Sequence, residues 1–299
     1  MEKRKLGKTS LEVAVLGFGG AEVGLENTSL PEVERLLGSA LDAGLNVIDT
    51  AECYGTSEES IGRAVAHRRE DFFLFTKCGH SRGFENPADW ADPVRLQNSL
   101  EQSLKRLRTG HLDLFQLHSC SRKVLEKGVV IDFIKKAKRS GKTRFIGYSG
   151  ENDAALYAVR TGVFDTLQMS INLADQHSID SILPVAVKQG MGVIAKRPIA
   201  NVAWRHKRRP IEYHAPYWER FKKLDYDFLK APEDEAVATA LRFVLSVPGV
   251  SVAIVGTQHP GRWQENACIV SKGPLDPGRY EAIRRRWKEI APPDWLGQV

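Results

Sequence analysis

The sequence has no apolar run long enough to cross a membrane. A transmembrane helix needs about 18 or more consecutive apolar residues, and no stretch of the 299 residues approaches that length. The opening segment MEKRKLGKTS also has no apolar core of the kind found in secretory signal peptides. We therefore expect a cytoplasmic protein with no membrane partner.

Cysteine is scarce, and no C-x-x-C pair is present. The chain has four cysteines, at widely spaced positions: Cys53, Cys78, Cys120 and Cys268. This spacing is typical of reduced thiols and excludes the dense pattern of a disulfide-stabilised secreted domain. We expect free thiols.

A strong charge imbalance is absent as well. The net charge of +6 is modest for this length. The basic segment RHKRRP at 205–210 is accompanied by no nucleic-acid-binding motif. We expect it to be a solvated loop or a contact to an anionic small molecule, and we expect no nucleic-acid partner.

Short β-rich apolar runs alternate with helical patterns along the whole chain, which is typical of repeated βα units in an α/β protein with a parallel sheet. A chain with 42% hydrophobic residues can form one large core, so we predict a single domain over residues 1–299. An N-terminal hairpin is expected at about 3–13. The eight predicted strands are 15–18, 46–49, 72–77, 112–117, 144–148, 166–170, 192–196 and 250–255.

Helix boundaries are also marked in the sequence. Ser29 and Glu32 predict a capping box, and Asp92 before Pro93 predicts a helix start. Pro184 falls inside a predicted helix at 179–189 and requires either a first-turn position or a kink. Glycines predict left-handed helix stops at five positions: Gly44, Gly110, Gly141, Gly162 and Gly190.

Eight βα units form either a closed (β/α)8 TIM barrel or a large doubly wound sheet. The glycines of LGFGG at 16–20 do not match the G-x-G-x-x-G fingerprint of the dinucleotide-binding open sheet. The barrel with its N-terminal β-hairpin is therefore the predicted fold. In such barrels the active site lies at the carboxyl ends of the strands.

Polar residues close most of the predicted strands and would face one cavity. In chain order they are Asp49 with Tyr54, Lys77, His118, Ser149, Gln168 with Asn172, Lys196, and Gly256 with Thr257. Taken singly, each has a structural explanation, such as a turn cap, a rim charge or a core histidine. Their concentration at successive strand ends favours a catalytic site.

Four of these residues have complementary chemistry. A phenol has a pKa near 10, but an ammonium beside it favours the phenolate. Tyr54, Lys77 and Asp49 could form such a set, with Asp49 keeping Lys77 charged. His118 could donate a hydrogen bond to a carbonyl oxygen that gains negative charge.

With these motifs the sequence resembles the aldo-keto reductase superfamily over nearly its whole length. The resemblance extends from RKLGKTSLEVAVLGFGG through NVIDTAECYG, FTKCG, DLFQLHS, IGYSG, QMSIN and AKRP to GTQHPGRWQEN. It implies a (β/α)8 barrel that reduces carbonyls with NADPH. It also implies that Asp49, Tyr54, Lys77 and His118 are the catalytic tetrad, with Tyr54 as the proton donor.

The resemblance also implies a cofactor site. Ser149 and Gln168 match positions that hold the nicotinamide carboxamide. Thr257, Arg262, Glu265 and Asn266 match the adenosine end, where Arg262 would pair with a 2′-phosphate. Since a guanidinium matches a phosphate in shape and charge, NADP(H) is expected in preference to NAD(H).

The sequence departs from the family pattern at three places. Gly150 stands where an asparagine usually follows the serine. Lys196 and Arg197 occupy the segment in which many members have a tyrosine stacked on the nicotinamide, and could contact the pyrophosphate instead. Gly256 replaces a lysine that some members have near the 2′-phosphate.

Several alternatives stay open from the sequence. Trp90 and the aromatic residues of loop 201–221 could form a substrate wall for an apolar or aromatic carbonyl compound, or could pin the loop to the barrel. A zinc site of three cysteines and one histidine is an alternative for Cys53, Cys78, Cys120 and His118, but small buried thiols are expected, and no metal site is predicted. A metal-dependent hydrolase lacks a convincing ligand set.

The alternative function is an NADPH-binding sensing subunit with little turnover, resembling the potassium-channel β-subunits that share the tetrad. Since fold alone does not decide function, both hypotheses depend on the site. The sequence does not predict an oligomeric state.

Overall fold

The computed structural model describes residues 1–79, 89–211, 213–230 and 233–298. Two short antiparallel strands, β1 (Lys3–Lys5) and β2 (Glu12–Ala14), form the predicted hairpin. Eight parallel strands then form a closed barrel, in which the last strand pairs with the first. These strands are β3 (Leu16–Gly19), β4 (Val47–Asp49), β5 (Phe73–Cys78), β6 (Leu112–His118), β7 (Thr143–Ser149), β8 (Thr166–Ser170), β9 (Gly192–Lys196) and β10 (Val250–Gly256). The predicted (β/α)8 barrel is confirmed.

Helices surround the barrel. Those before β8 are α1 (Ala21–Leu25), α2 (Leu30–Asp42), α3 (Ser57–Val65), α4 (Pro93–Arg106), α5 (Arg122–Glu126), α6 (Val129–Arg139) and α7 (Asn152–Arg160). Those after it are α8 (His177–Ser181), α9 (Leu183–Lys188), α10 (Ala215–Leu224), α11 (Glu233–Ser246), α12 (Arg262–Ser271) and α13 (Pro277–Ile290). Among the described residues, no helix combines the length and apolar composition that a bilayer crossing requires.

The predicted helix signals are mostly confirmed. Ser29 and Glu32 form the capping box of α2, and the Asp92 side chain accepts hydrogen bonds from the first backbone amides of α4. Pro184 divides the predicted helix 179–189 into α8 and α9 and lies in the first turn of α9. A first-turn proline costs little because its missing amide has no partner within the helix.

The predicted stop at Gly110 is wrong. Gly44, Gly141, Gly162 and Gly190 have positive φ, but Gly110 does not. After α4, the left-handed position is taken two residues earlier by Arg108, with φ 54°. The Arg108 amide donates to the Lys105 carbonyl over 3.2 Å, so the helix has already ended before the chain reaches the glycine.

The barrel interior has an apolar lower layer and a polar upper layer. Side chains alternate between the two faces of a strand, so residues two apart both point inward. Val47, Phe75 and Leu114 pack in the lower interior against Leu6, Leu11 and Val13 of the hairpin segment. The hairpin therefore closes the amino-terminal end of the barrel, and the next inward position on each strand lies at the open carboxyl end.

Candidate active site

Asp49 and Lys77 occupy that next inward position, and His118 lies one inward position further along β6. Asp49 follows Val47, Lys77 follows Phe75, and His118 lies four residues after Leu114. Strand register sets their order around the mouth: Asp49 pairs with Phe75, Lys77 with Gln116, and His118 with Ser149. The alternation that buries the lower layer thus brings the polar residues into one cavity.

Lys77 and Asp49 form a buried ion pair. Lys77 Nζ donates to Asp49 Oδ1 over 2.5 Å and to the Thr50 carbonyl over 2.9 Å, and both side chains are 1% exposed. Burial raises the pKa of Asp49, and the nearby ammonium opposes that rise. Burial also pulls the pKa of Lys77 down, but the Asp49 carboxylate leaves it above its usual value. Lys77 is therefore a fixed positive charge.

Tyr54 lies in the turn after β4, next to that charge. The turn is held against β5 because the Glu52 amide donates to the Lys77 carbonyl over 3.1 Å. Lys77 Nζ lies 5.1 Å from the centre of the Tyr54 ring. Burial raises the pKa of Tyr54 to about 12, and Lys77 works against this rise. The lowering of the phenol pKa predicted from the sequence is thus present but is outweighed by burial.

His118 is held by two consecutive residues of the same turn. Its ring lies edge-on to that of Tyr54, with the ring centres 5.8 Å apart and an interplanar angle of 86°. The Cys53 thiol lies 3.4 Å from His118 Nδ1. Tyr54, Lys77, Asp49 and His118 therefore form one contiguous group.

A pair of glutamine amides extends this group across the barrel. Gln116 Nε2 donates to Gln168 Oε1 over 2.8 Å, and Gln168 Nε2 donates to Asp49 Oδ1 over 3.3 Å. The predicted nicotinamide contact Gln168 is thus turned toward Asp49. Gln116 was not predicted, although its position two residues before His118 in the strand was a signal that it faces inward.

The buried polar atoms that lack partners among the described residues include the Ser149 hydroxyl and the Asn172 side-chain nitrogen. An acceptor and a donor at neighbouring strand ends are complementary to a carboxamide, so these residues fit a nicotinamide. Gly150 has a local explanation, because a side-chain carbon there would lie 2.6 Å from the Tyr148 hydroxyl. The space of the usual asparagine is thus taken by Tyr148, which donates to the Cys120 carbonyl over 2.7 Å.

Lys196 is paired with Glu151, a partner that no sequence motif indicated. Lys196 Nζ lies 3.2 Å from Glu151 Oε1, and the Ser170 amide donates to the same oxygen over 2.8 Å. Burial lowers the pKa of Lys196, with Arg197 and Lys77 adding to the effect, while Glu151 opposes it. The position of the family's aromatic platform is therefore occupied by an ion pair whose carboxylate is buried and whose lysine is partly exposed.

Arg197 and Asp175 connect the mouth to the segment 296–298. Arg197 Nη1 donates to the Gln298 carbonyl over 2.5 Å, and its Nε donates to the Tyr213 hydroxyl over 3.1 Å. The Gln298 amide and the Tyr217 hydroxyl donate to Asp175 Oδ2 over 3.1 and 3.2 Å. Burial and the nearby Glu151 raise the pKa of Asp175 to about 7.

The predicted adenosine residues lie at and after the end of β10. Thr257 is buried and accepts from the His259 amide over 3.1 Å, and Asn266 is buried on α12. Arg262, the first residue of α12, pairs with Glu265 over 2.9 Å, and both are more than half exposed. Arg262 is therefore accessible to a ligand, although it has a competing carboxylate.

Gly256 leaves room for an acid. A side chain at this position would collide with the carboxylate of Glu22 on α1. Burial raises the pKa of Glu22. Where some family members have a lysine, this chain therefore presents a carboxylate.

The aromatic residues of loop 201–221 mostly have structural roles. Tyr217 is fully buried, Trp204 packs edge-on against Phe221 at 5.3 Å, and Trp218 Nε1 donates to the His206 carbonyl over 2.8 Å. Trp90 is also buried. Most of the predicted substrate loop after β5 lies outside the described residues, at 80–88.

The cysteines near the mouth are not arranged around a metal. Cys78 and Cys120 are buried within the apolar core, while Cys53 contacts His118. Across the part of the chain that the structure describes, no three or more His, Cys, Asp or Glu side chains are grouped as metal ligands.

The sequence of this barrel matches a family of oxidoreductases. Residues 15–288 match the aldo/keto reductase family. The chain belongs to this family, whose members act on small carbonyl substrates and generally use nicotinamide cofactors.

Individual relatives are consistent with this family membership. The chain is 26% identical over 308 residues to the uncharacterized oxidoreductase YqkF of Bacillus subtilis, covering 97% of each protein. It is 28% identical to the L-galactose dehydrogenase of Arabidopsis thaliana, covering 91% of this chain and 89% of that protein. The holo form of the aldo-keto reductase AKR11C1 from Bacillus halodurans shares the fold, with a TM-score of 0.83, 24% identity and 99% coverage of each chain.

Proposed function

We propose that this protein is an NADPH-dependent reductase that converts aldehyde or ketone carbonyls to alcohols, with Tyr54 as the proton donor. The observation that carries the proposal is the buried Lys77–Asp49 pair beneath the Tyr54 ring, with His118 edge-on to that ring. A proton donor, a fixed positive charge and a second hydrogen-bonding group thus meet at one point of the barrel mouth.

The side chains have separate roles. With a pKa of about 12, Tyr54 holds its proton at neutral pH and can give it to a substrate oxygen. Lys77 stabilises the phenolate that results, since opposite charges close together favour the ionised form. Asp49 fixes Lys77 in position. His118 donates a hydrogen bond to the carbonyl oxygen and orients it.

A bound nicotinamide would supply the hydride that reaches the carbonyl carbon. Ser149 and Asn172 would hold its carboxamide through their buried polar atoms, which lack partners in the part of the chain that the structure describes. Lys196 and Arg197 would lie toward its phosphates. Thr257, Arg262, Glu265 and Asn266 would hold the adenosine end.

The preference for NADP(H) rests on Arg262. Its exposed guanidinium can exchange Glu265 for a 2′-phosphate, which accepts two parallel hydrogen bonds. Glu22 near Gly256 acts in the opposite direction, because a second negative charge repels phosphate.

The substrate class stays open between polar and apolar carbonyl compounds. The buried loop aromatics favour the structural role that the sequence analysis allowed for them. The name of L-galactose dehydrogenase indicates a sugar substrate and the oxidative direction for that relative. Aldoses and the oxidative direction therefore belong in a substrate panel. The cytoplasmic location and single-domain organisation remain predictions.

The sensing subunit is not favoured, since the relatives described above are named as oxidoreductases. The test is the decrease of NADPH absorbance with a panel of aldehydes, ketones and aldoses, compared with NADH. Carbonyl-dependent oxidation faster with NADPH supports the proposal. Tight NADPH binding without turnover of any carbonyl would contradict it and restore the sensing hypothesis.

A further inference from the structure

Gln116 and Gln168 form a pair of amides that meet across the strand between them. The two residues lie on β6 and β8, and β7 separates these strands in the barrel. Strand register sets Gly147 of β7 opposite Gln116 and Ser149 opposite Gln168. Gln116 Nε2 nevertheless donates to Gln168 Oε1 over 2.8 Å, and both side chains are buried. The contact is therefore made inside the barrel, over the inner face of β7.

Gly147 makes this contact possible because it has no side chain. A side-chain carbon at this position would lie 3.0 Å from Gln116 Cγ, 3.2 Å from Gln116 Oε1 and 2.3 Å from Thr166 Oγ1. Gly147 is not one of the glycines with positive φ, so its backbone conformation does not require a glycine. The glycine is explained instead by the space that the Gln116 side chain occupies.

The charge of Asp49 fixes the direction in which each amide points. A carboxylate accepts hydrogen bonds and donates none, so the end of an amide that faces it is the nitrogen. Gln168 Nε2 donates to Asp49 Oδ1 over 3.3 Å, and Gln116 Nε2 lies 3.4 Å from Asp49 Oδ2. Gln168 Oε1 is then turned toward Gln116, which supplies a donor to it. Both oxygens of the carboxylate thus face an amide nitrogen.

These amide nitrogens act on Asp49 in the same direction as Lys77. Burial raises the pKa of Asp49, and Lys77 is the strongest influence that opposes the rise. The hydrogen bond from Gln168 and the charge of Lys196 oppose it too, because hydrogen bonds and positive charges stabilise the ionised form. The ionised Asp49 in turn holds Lys77 Nζ at 2.5 Å, next to the Tyr54 ring.

We propose that Gln116 is a positioning residue that, together with Gln168, holds the Asp49 carboxylate in line with Lys77. Gln116 acts directly on one carboxylate oxygen and, by orienting Gln168, on the other. This role rests on the proposed reductase function, in which Lys77 stabilises the Tyr54 phenolate. The state of Asp49 itself can be observed without substrate or cofactor.

The first measurement is the titration of Asp49 by carbon-13 NMR of aspartate-labelled protein, in which its carboxyl signal is identified as the one missing from Asp49→Asn. Gln116→Met removes the amide and keeps a side chain of similar size, so Asp49 should titrate at higher pH than in the wild type. Gln176→Met is the control. This buried amide donates to the Leu173 carbonyl over 3.1 Å and accepts from Arg284 over 2.7 Å, and its loss should leave the titration of Asp49 unchanged.

The second measurement is the pH profile of kcat for carbonyl reduction. In Gln116→Met the hold on Lys77 is weaker, and the Tyr54 phenolate is stabilised less. We expect kcat to fall about tenfold, which corresponds to about 1.4 kcal/mol of activation free energy. The alkaline limb, where Tyr54 loses its proton, should move to higher pH. Gln168→Met should give the same two changes, and the double variant little more, because the two amides act as one unit.

An unchanged Asp49 titration or an unchanged alkaline limb in Gln116→Met would overturn the inference. Equal shifts in Gln176→Met would overturn it as well, since the loss of any buried amide would then have the same effect. If Asp49 shifts as expected but the wild type reduces no carbonyl, the reductase function fails while the contact of Gln116 with Asp49 stands.

Discussion

Lys77 Nζ donates to Asp49 Oδ1 over 2.5 Å in a part of the barrel from which both side chains expose only 1% of their surface. The two residues belong to neighbouring strands, β4 and β5, whose parallel pairing sets Asp49 opposite Phe75, two residues before Lys77. The carboxylate therefore reaches diagonally across the strand pair. This contact fixes the charge beneath Tyr54.

Removing one partner of this pair should destabilise the fold. Lys77→Met leaves the Asp49 charge buried without its ammonium, which costs about 3–5 kcal/mol of unfolding free energy. The double variant Asp49→Asn/Lys77→Met should lose less than the sum of the single changes. Urea unfolding measures both variants. Arg122→Met breaks the exposed pair with Glu126; it is the control and should cost much less than Lys77→Met. Additive losses in the double variant would mean that the pair is not coupled.

Tyr54→Phe should separate chemistry from binding. Loss of the proton donor should lower kcat for carbonyl reduction by about 10²–10⁴-fold, while the affinity for NADPH, measured by fluorescence titration, should stay within about twofold of wild type because phenylalanine keeps the ring. Tyr280→Phe, on α13 and stacked against Phe243, is the control and should behave like wild type. Full turnover in Tyr54→Phe would remove Tyr54 from the mechanism.

Arg262→Ala should weaken NADPH more than NADH. A hydrogen bond between charged groups is worth about 1.5–3 kcal/mol, so the dissociation constant for NADPH should rise by about tenfold or more, and that for NADH should change little. Lys272→Ala, at the other end of α12, is a charge-matched control. Equal losses for the two cofactors would show that Arg262 does not contact a 2′-phosphate.

Asp175 should make stability fall with rising pH. Its pKa is about 7 in the folded protein and about 3.9 in an unfolded chain, so between these values the folded state holds more protons. Its contribution to stability is therefore complete below about pH 4 and is lost by about pH 7, at up to 1.4 kcal/mol per pH unit. Asp175→Asn should reduce this slope in urea unfolding between about pH 4 and 7. Exposed Asp153→Asn should leave it in place, and an unchanged slope in Asp175→Asn would assign it to another group.

The sequence by itself determined the barrel. Its eight apolar strand segments alternate with helices that begin at Ser29 or Asp92 and stop at glycines, and these signals are local. The order of Asp49, Lys77 and His118 at strand ends was equally readable, because a period of two along a strand assigns each side chain to the inside or the outside.

Only the tertiary structure decided which partners these residues have. The contacts of Cys53 with His118, Glu151 with Lys196 and Glu22 with Gly256 join distant parts of the chain, and neither propensity nor periodicity encodes them. The tertiary structure also decided the pKa of Tyr54. Lys77 pulls it down as its chemistry predicts, but the depth of burial, which depends on how the whole barrel closes, raises it further than one ammonium can lower it.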